Sequence, residues 1–314
     1  MFPSRRDICK LALCGIPASA AFAKMINSKI DGVQLGVQSY SFRDLPIDQA
    51  IHAMVTDGLG DCELFSPHIE EGGVAALDSI FHPPGGKELT HEQTASALKA
   101  YNDKIRQWRL TVPLDYFTGV RKKFNDAGIQ LYAYNLTLDE GATDEEIDRS
   151  FEMAKALGVG IITSSTTLPV ARRMAPFADK HKTIVAFHGH SDIKDPNQFA
   201  TPESFAQALA MSKQYRINLD IGHFTAAGYD PVDYLAKNHD SIVLLHLKDR
   251  KKNDGPNVPW GQGDTPIKAV LLLLKEKRYP IPAFIEYEYK GTGTSTEEVA
   301  KCYQYCKNAL NAST

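Results

Sequence analysis

The stretch Val185-Ala186-Phe187-His188-Gly189-His190 is a short apolar run that closes on two histidines. Runs of the same kind, rich in β-branched and aromatic residues and closing on polar ones, recur along the chain. Such runs predict buried β-strands. Eight strands are predicted in this way, at residues 33–39, 59–65, 129–136, 159–164, 183–188, 217–221, 242–247 and 282–287.

Helical patterns separate these strands. They include residues 47–57, 144–157, 202–215, 231–238 and 265–277. Thr201 and Asp230 each precede a proline, which is typical of a helix start, and Gly128 and Gly158 stand where helices end. The alternation predicts a single (β/α)8 TIM barrel of the α/β class. A doubly wound open sheet is the alternative, but no Gly-x-Gly-x-x-Gly follows the first strand.

The connection between the second and third predicted strands is irregular. It is roughly 60 residues long, which exceeds a single crossover helix. Two helices, at residues 93–108 and 112–127, are predicted within it, after a long loop at residues 66–91. Because long loops in compact domains are usually functional or disordered, this loop is predicted to be either a lid, if it lies on the active face, or a disordered segment. His68 and His82 in this loop are predicted to be solvated.

Composition excludes several classes of function. The chain has 314 residues, 43% of them hydrophobic and 23% charged, as expected for a globular protein with a sizeable core. The net charge is −3 and no basic arm is present, which argues against a nucleic-acid partner. No segment reaches the roughly 18 apolar residues that a membrane span needs. Association into a homo-oligomer is left open.

The first 23 residues have the composition of an export signal. Arg5-Arg6 precedes a short apolar run that ends in Ala21-Phe22-Ala23, which is typical of a signal peptide with its cleavage site. The paired arginines resemble the twin-arginine type. The sequence therefore predicts a leader at residues 1–23, a barrel domain at residues 24–314, and a periplasmic or exported protein with no membrane attachment after cleavage.

Polar residues stand at the ends of the predicted strands, where the active site of a TIM barrel lies. The last four strands carry His188, Asp220, His246 and Glu286. Two imidazoles and two carboxylates around one point predict a site for one divalent metal ion, with Mn, Zn, Co or Fe favoured over Mg. Read singly, each of these residues is also compatible with a structural role, such as a helix cap for Asp220.

Four short segments of the second half, LDIGHF, LLHLKD, WGQGDTPI and FIEYE, resemble the xylose-isomerase-like TIM barrel family of sugar phosphate isomerases and epimerases. The resemblance covers nearly the whole chain beyond the leader. It implies a divalent cation held by Glu, Asp, His and Glu, of which the last three match Asp220, His246 and Glu286. It also implies that His223 and Lys248 meet the sugar.

The chain departs from the family pattern at two places. His188 stands where the family has a glutamate, and Gly261-Gln262-Gly263 stands where many relatives have Gly-Glu-Gly. The first departure matters for mechanism, because epimerisation with two bases uses a carboxylate on each face of the substrate. A histidine that binds the metal is not available as a base. Isomerisation, or β-elimination of water or an alcohol from a keto sugar, therefore gains weight.

The chemistry shared by these options is enolisation. The cation would act as a Lewis acid on a carbonyl and its neighbouring hydroxyl while a side chain takes the α-proton. Glu286 or Glu63 is the candidate base, and His223 or Lys248 the candidate proton donor or hydroxyl clamp. The candidate substrate contacts are His190, His223, Trp260, Gln38 and Asn135.

The predicted function is therefore a metal-dependent isomerase or epimerase that acts on a sugar or keto-sugar through an enediolate. A lyase or dehydratase that eliminates water or an alcohol from a 3-keto sugar or inosose is the runner-up. A non-catalytic, exported sugar-binding barrel is the second alternative. A repair endonuclease is disfavoured, because it needs a basic surface. No phosphate-binding glycine loop is found, so a phosphorylated substrate is not assumed.

Overall fold

The computed structural model describes residues 24–81, 83, 86 and 89–312. Within this range, eight parallel strands form a closed barrel, which confirms the predicted single (β/α)8 fold. The strands are β2 (Val33–Gln38), β3 (Asp61–Phe65), β4 (Gln130–Asn135), β5 (Ile161–Ser164), β6 (Ile184–His188), β7 (Tyr215–Asp220), β8 (Ile242–Leu247) and β9 (Ala283–Ile285). The predicted leader and His82 lie outside the described residues.

The barrel closes because β2 pairs with β3 on one side and with β9 on the other. A short strand, β1 (Lys29–Ile30), precedes it and pairs antiparallel with β2. Between β1 and β2, Asp31 and Gly32 both have positive φ, as a two-residue hairpin turn requires. The barrel strands are buried on both faces along most of their length, which explains their nearly continuous apolar runs.

Helices surround the barrel. They are α1 (Ile47–Asp57), α2 (Gly73–Phe81), α3 (His91–Thr111), α4 (Leu114–Asp126), α5 (Asp144–Leu157), α6 (Leu168–His181), α7 (Pro202–Leu209), α8 (Ile221–Ala226), α9 (Pro231–Asn238), α10 (Ile267–Lys277) and α11 (Ser295–Asn311). The side chains of Thr201 and Asp230 accept backbone N–H bonds at the starts of α7 and α9, as predicted. Gly158 ends α5 with φ of 75°, a left-handed conformation that glycine adopts without strain.

Two predicted boundaries are corrected. The helix predicted at residues 202–215 ends at Leu209, and Tyr215 instead begins β7, where it pairs with Val185 of β6. Strand pairing overrides local helical preference at this position. Residues 66–91 are not loop throughout, because α2 forms within them. Its sequence, GVAALDSIF, includes Ala75, Ala76 and Leu77, which favour a helix. Among the described residues, the three helices α2, α3 and α4 thus lie between β3 and β4.

Among the residues that the structure describes, no helix combines the length and the apolar character that crossing a bilayer requires.

Candidate metal and substrate site

Four consecutive strands deliver the predicted metal ligands to one end of the barrel. His188 is the last residue of β6, and Asp220 is the last residue of β7. His246 lies beside Asp220 in the register of β7 and β8, and Glu286 directly follows β9. All four side chains are buried. The carboxyl ends of these strands form the active-site face of a TIM barrel, so the four predicted residues lie where chemistry is expected.

The donor atoms of this set are close to one another. His188 Nε2 lies 3.2 Å from Asp220 Oδ2 and 3.7 Å from Glu286 Oε2. His246 Nδ1 lies 2.8 Å from Glu286 Oε2 and 4.0 Å from Asp220 Oδ2. One ligand atom from each residue lies within 4.8 Å of all the others. Bonds of about 2 Å to a common centre put donor atoms roughly 3–4 Å apart, so this set fits a divalent first-row metal.

In each histidine of this set, the ring nitrogen that faces away from the cluster contacts another side chain. His188 Nδ1 lies 3.3 Å from Ser165 Oγ, and His246 Nε2 bonds the carboxylate of Glu63. In metal sites the ring nitrogen that does not bind the ion is usually fixed by such a partner, which sets the tautomer and the orientation of the ring. Both histidines are therefore oriented as metal ligands are.

Glu63, expected as a candidate base, is placed differently by the structure. Its side chain has no exposed surface, and it bonds Thr163 as well as His246. The amide nitrogens of Asn135 and Asn218 lie 3.4 and 3.3 Å from its Oε1. A carboxylate enclosed in this way does not reach a substrate. The position of Glu63 instead favours a role in orienting His246.

Asp220 caps a helix and also belongs to the converging cluster. Its Oδ1 accepts the backbone N–H of His223 at 2.7 Å and caps α8. Its Oδ2 faces His188. The cap fixes the carboxylate in one rotamer, and the second oxygen is thereby directed at the ligand cluster.

Lys248 lies among the carboxylates of the site. Its Nζ lies 3.0 Å from Asp220 Oδ2, 2.9 Å from Glu286 Oε2 and 2.6 Å from Glu288 Oε2, and its side chain is 2% exposed. Burial would lower the pKa of this lysine, but the three carboxylates raise it well above its usual value. Lys248 is therefore a buried, charged hydrogen-bond donor, and its charge is paired with those of the three carboxylates.

The electrostatics of the cluster favour a positive charge at its centre. Burial would lower the pKa of His246, but Glu63 and Glu286 raise it to about 10. Burial would raise the pKa of Glu286, but Lys248 and His246 hold it well below its usual value. The carboxylate of Glu286 is thus ionised, as metal binding requires.

A cavity of about 250 Å³ opens above the four ligands. It contains Gln38, Asn135, His190 and His223, as predicted. The full lining is Gln38, Tyr40, Phe65, Asn135, Thr137, Ser165, His188, His190, His223, His246, Glu286 and Glu288.

No role was predicted from the sequence for Tyr40, Phe65, Thr137, Ser165 or Glu288, which also line this cavity. The period of two along a strand could have found two of them, because Phe65 follows Glu63, and Glu288 follows Glu286, on the same side.

His190 and His223 form the polar wall of the cavity, with ring centroids 5.2 Å apart. Arg250 Nη1 lies 2.6 Å from His223 Nδ1. Because an arginine only donates, Nδ1 of His223 must accept, and the proton of the ring is on Nε2. Burial and Lys248 lower the pKa of His223 well below its usual value, which keeps the ring neutral. His223 is therefore fixed as a hydrogen-bond donor through Nε2.

Trp260, a candidate substrate contact, is not among the residues that line the cavity. Its ring packs edge-on against Tyr305, with centroids 5.7 Å apart. The reason lies in Asp249, whose carboxylate accepts the backbone N–H groups of Gly261 and Gly263 at 2.8 and 2.9 Å. The loop wraps around this buried carboxylate, and the indole consequently packs against α11.

His68 is also corrected, because it is buried and not solvated. Its Nδ1 lies 3.0 Å from Ser39 Oγ, and its Nε2 lies 3.2 Å from the carbonyl oxygen of Phe42. These contacts join the end of β3 to the end of β2. His68 is thus a structural residue beneath the cavity rim.

The model of the xylose isomerase-like TIM barrel family matches residues 73–306. The chain belongs to this family. The chain is 30% identical to L-ribulose-5-phosphate 3-epimerase UlaE of Salmonella paratyphi C over 93 residues. These residues are 30% of this chain and 33% of the relative. The match therefore spans about a third of that relative's length.

Solved structures share the fold of this family member. A sugar phosphate isomerase/epimerase from Parabacteroides distasonis is 18% identical with a TM-score of 0.58, over 89% of this chain and 97% of that one. The IolI protein with a bound zinc atom is 16% identical with a TM-score of 0.59, over 90% and 100%. The probable 3-DHS dehydratase AsbF from Bacillus anthracis is 14% identical with a TM-score of 0.59, over 90% and 100%.

Proposed function

We propose that this protein is a divalent-metal-dependent isomerase or epimerase that enolises a sugar or keto-sugar through an enediolate. One observation carries the proposal. Four buried donors from successive strands converge, and each of the two imidazoles is fixed by a partner on its other nitrogen. Metal ligands typically show this combination, in which one nitrogen of each imidazole faces the converging donors and the other nitrogen is fixed by a partner. The related sugar phosphate isomerases and epimerases support the substrate class.

His188, Asp220, His246 and Glu286 would hold one divalent ion, and their mixed nitrogen and oxygen donors favour Mn, Zn, Co or Fe over Mg. When bound, such an ion supplies Lewis-acid polarisation of a carbonyl and its neighbouring hydroxyl. The zinc atom in IolI agrees with this assignment.

Two carboxylates face the cavity and can take an α-proton, Glu286 and Glu288. The recorded contacts of Glu288, with Lys248 and Asn257, all fall on Oε2. His223 Nε2–H donates to a substrate oxygen, because Arg250 fixes its tautomer. A neutral donor aimed at a developing oxyanion stabilises the enolate without giving up its proton.

Both cavity carboxylates come from the end of β9, and the fifth barrel strand, β6, contributes an imidazole. This arrangement favours removal and return of a proton by one carboxylate over two bases on opposite faces. The second candidate function, a lyase or dehydratase acting on a 3-keto sugar or inosose, follows from the same observation, because β-elimination also needs one base.

The test begins with metal analysis of the purified protein. The metal-loaded protein is then incubated in heavy water with a panel of keto sugars and inososes, and the α-proton is followed by NMR. We expect exchange with at least one substrate, its loss in Glu286→Gln, and its survival in the exposed control Glu140→Gln. New sugar signals identify an isomerase or epimerase, and an unsaturated product identifies a lyase. Bound metal without exchange on any substrate contradicts the proposal and leaves a sugar-binding barrel.

We also propose that residues 1–23 are a twin-arginine leader and that the folded barrel acts outside the cytoplasm on a small carbohydrate. The paired Arg5-Arg6 and the Ala21-Phe22-Ala23 ending support this. Mass spectrometry of the protein from separated cell fractions tests this. We expect cleavage near residue 23, and we expect this cleavage to be absent in a variant that carries both Arg5→Lys and Arg6→Lys.

A further inference from the structure

A second cavity adjoins the cavity above the four converging residues, here called the catalytic cavity. Its volume is about 170 Å³, and Tyr40 and Phe65 line both cavities. The other apolar walls come from one face of α2, namely Val74, Leu77 and Phe81. The two shared aromatic rings pack edge to face, with centroids 5.0 Å apart, and form the boundary. The inserted helix α2 thus builds an apolar chamber directly beside a polar one.

The two charged side chains of this second cavity already have partners, and its other walls are mostly apolar. Among the described residues that line it, the charged ones are Arg43 and Asp78. Arg43 donates to the carbonyl oxygens of Tyr40 and Tyr287, and its guanidinium lies 4.5 Å from the centre of the Tyr40 ring. Asp78 also has an interaction partner. A second sugar ring would need hydrogen-bond partners for its hydroxyls, so these walls favour an apolar group.

The size of the cavity fits one aromatic ring. A cavity of about 150 Å³ with apolar walls binds benzene, and this one is slightly larger. At its edge the side chain of Phe81 is 56% exposed, which a bound apolar group would cover.

We propose that this cavity, the aglycone cavity, binds an apolar single-ring aglycone of a glycoside whose sugar lies in the catalytic cavity. The proposal rests on the proposed function for the position of the sugar. It names the substrate class as aryl or similarly apolar glycosides, and it gives α2 a role that free monosaccharides do not require.

An aglycone beside the catalytic cavity favours elimination as the reaction of a 3-keto glycoside. A carboxylate takes the proton from C2, and the electron pair forms the enolate with C3. When the C3 carbonyl re-forms, C1=C2 is made, the bond from C1 to the aglycone oxygen breaks, and that oxygen takes up one proton. The products are an unsaturated keto-sugar and an alcohol or phenol. No oxidant or reductant is consumed.

The experiment measures, by calorimetry on the metal-loaded full chain, the binding of two probes. They are phenyl β-D-glucopyranoside and methyl β-D-glucopyranoside. Burial of the phenyl ring is expected to tighten binding about 10-fold or more over the methyl probe. Val74→Phe fills the aglycone cavity and is expected to abolish this preference while leaving methyl binding unchanged. Ser79→Phe adds the same ring on the exposed side of α2 and is the matched control.

Equal affinity for the two probes overturns the proposal, as does a preference that survives Val74→Phe. Tighter binding of cellobiose than of the phenyl probe also overturns it, because that result identifies a polar subsite. If Val74→Phe does not fold, Phe81→Ala replaces it, because that side chain is half exposed. The phenyl preference is then expected to fall at least 3-fold.

The readout separates this proposal from the proposed function. If the protein exchanges the α-proton of keto sugars but shows no phenyl preference, the aglycone proposal is wrong and the proposed function stands. If it shows a phenyl preference but exchanges no α-proton, the proposed function is wrong and the aglycone proposal stands.

Discussion

The two halves of the barrel use polar residues in different ways. Strands β6–β9 end in His188, Asp220, His246 and Glu286, whose donor atoms converge. Strands β2–β5 end in residues that hold others in place. Glu63 of β3 bonds His246, and Ser165 after β5 contacts His188.

The difference shows how a barrel divides the work of one site. In the proposed enzyme, the second half supplies the metal ligands and part of the cavity wall, and the first half orients the two imidazoles and supplies the rest of the wall. Polar residues at corresponding strand ends therefore have different consequences when they are changed. Substitutions in each half can test this division.

Removing a ligand from the second half is expected to have the largest effect. His188→Ala or Asp220→Ala should weaken metal binding by more than about 100-fold, beyond the 10–100-fold that outer partners control, and α-proton exchange should disappear. Metal content and competition with a chelating dye measure the affinity. His52→Ala, an exposed histidine on α1, is the control. Full occupancy and activity in His188→Ala would show that His188 is not a ligand.

Changing the first half at Glu63 is expected to act on the metal indirectly. Glu63→Gln keeps the size of the side chain but removes the charge that orients His246. Metal affinity should fall about 10–100-fold, and exchange at saturating metal should largely recover. If exchange stays absent at saturating metal, Glu63 is a base after all, and the division between the halves fails.

A substitution of Arg250 is expected to change the tautomer of His223 without changing metal binding. Arg250→Met removes the donor to Nδ1, so the ring proton is no longer confined to Nε2. We expect unchanged metal content and about a 10-fold loss of exchange rate, the effect of about one hydrogen bond. Arg250→Lys, which can still donate, should restore part of the rate. A loss of metal in Arg250→Met would instead indicate a structural role.

His68 should affect stability and leave the chemistry unchanged. Burial lowers its pKa to about 4 from an ordinary value near 6.5. Between these values the unfolded chain binds a proton that the folded chain does not, so stability falls as the pH drops from about 6.5 to about 4. The full difference is about 3 kcal/mol.

Urea unfolding of the metal-free protein at a series of pH values measures this slope. In His68→Gln the slope should be reduced, whereas His52→Gln, an exposed control, should keep it. An unchanged slope in His68→Gln assigns the acid sensitivity to other groups.

Much of the fold could be predicted because its signals are local. Apolar runs that close on polar residues located all eight barrel strands, and Thr201 and Asp230 mark the helix starts that they cap. Helix α2 was missed because its short run follows two glycines and precedes two prolines, which indicate a loop. Tyr215 was assigned to a helix, since its pairing with Val185 depends on a strand 30 residues earlier.

The barrel and the four converging residues could be predicted from the amino-acid sequence, because strand order and strand ends follow from periodicity along the chain. What each side chain faces could be read only from the folded structure. Glu63 faces His246, Trp260 packs against Tyr305, and α2 encloses the aglycone cavity beside Phe65. These outcomes depend on contacts between residues far apart in the chain, and no local pattern carries them.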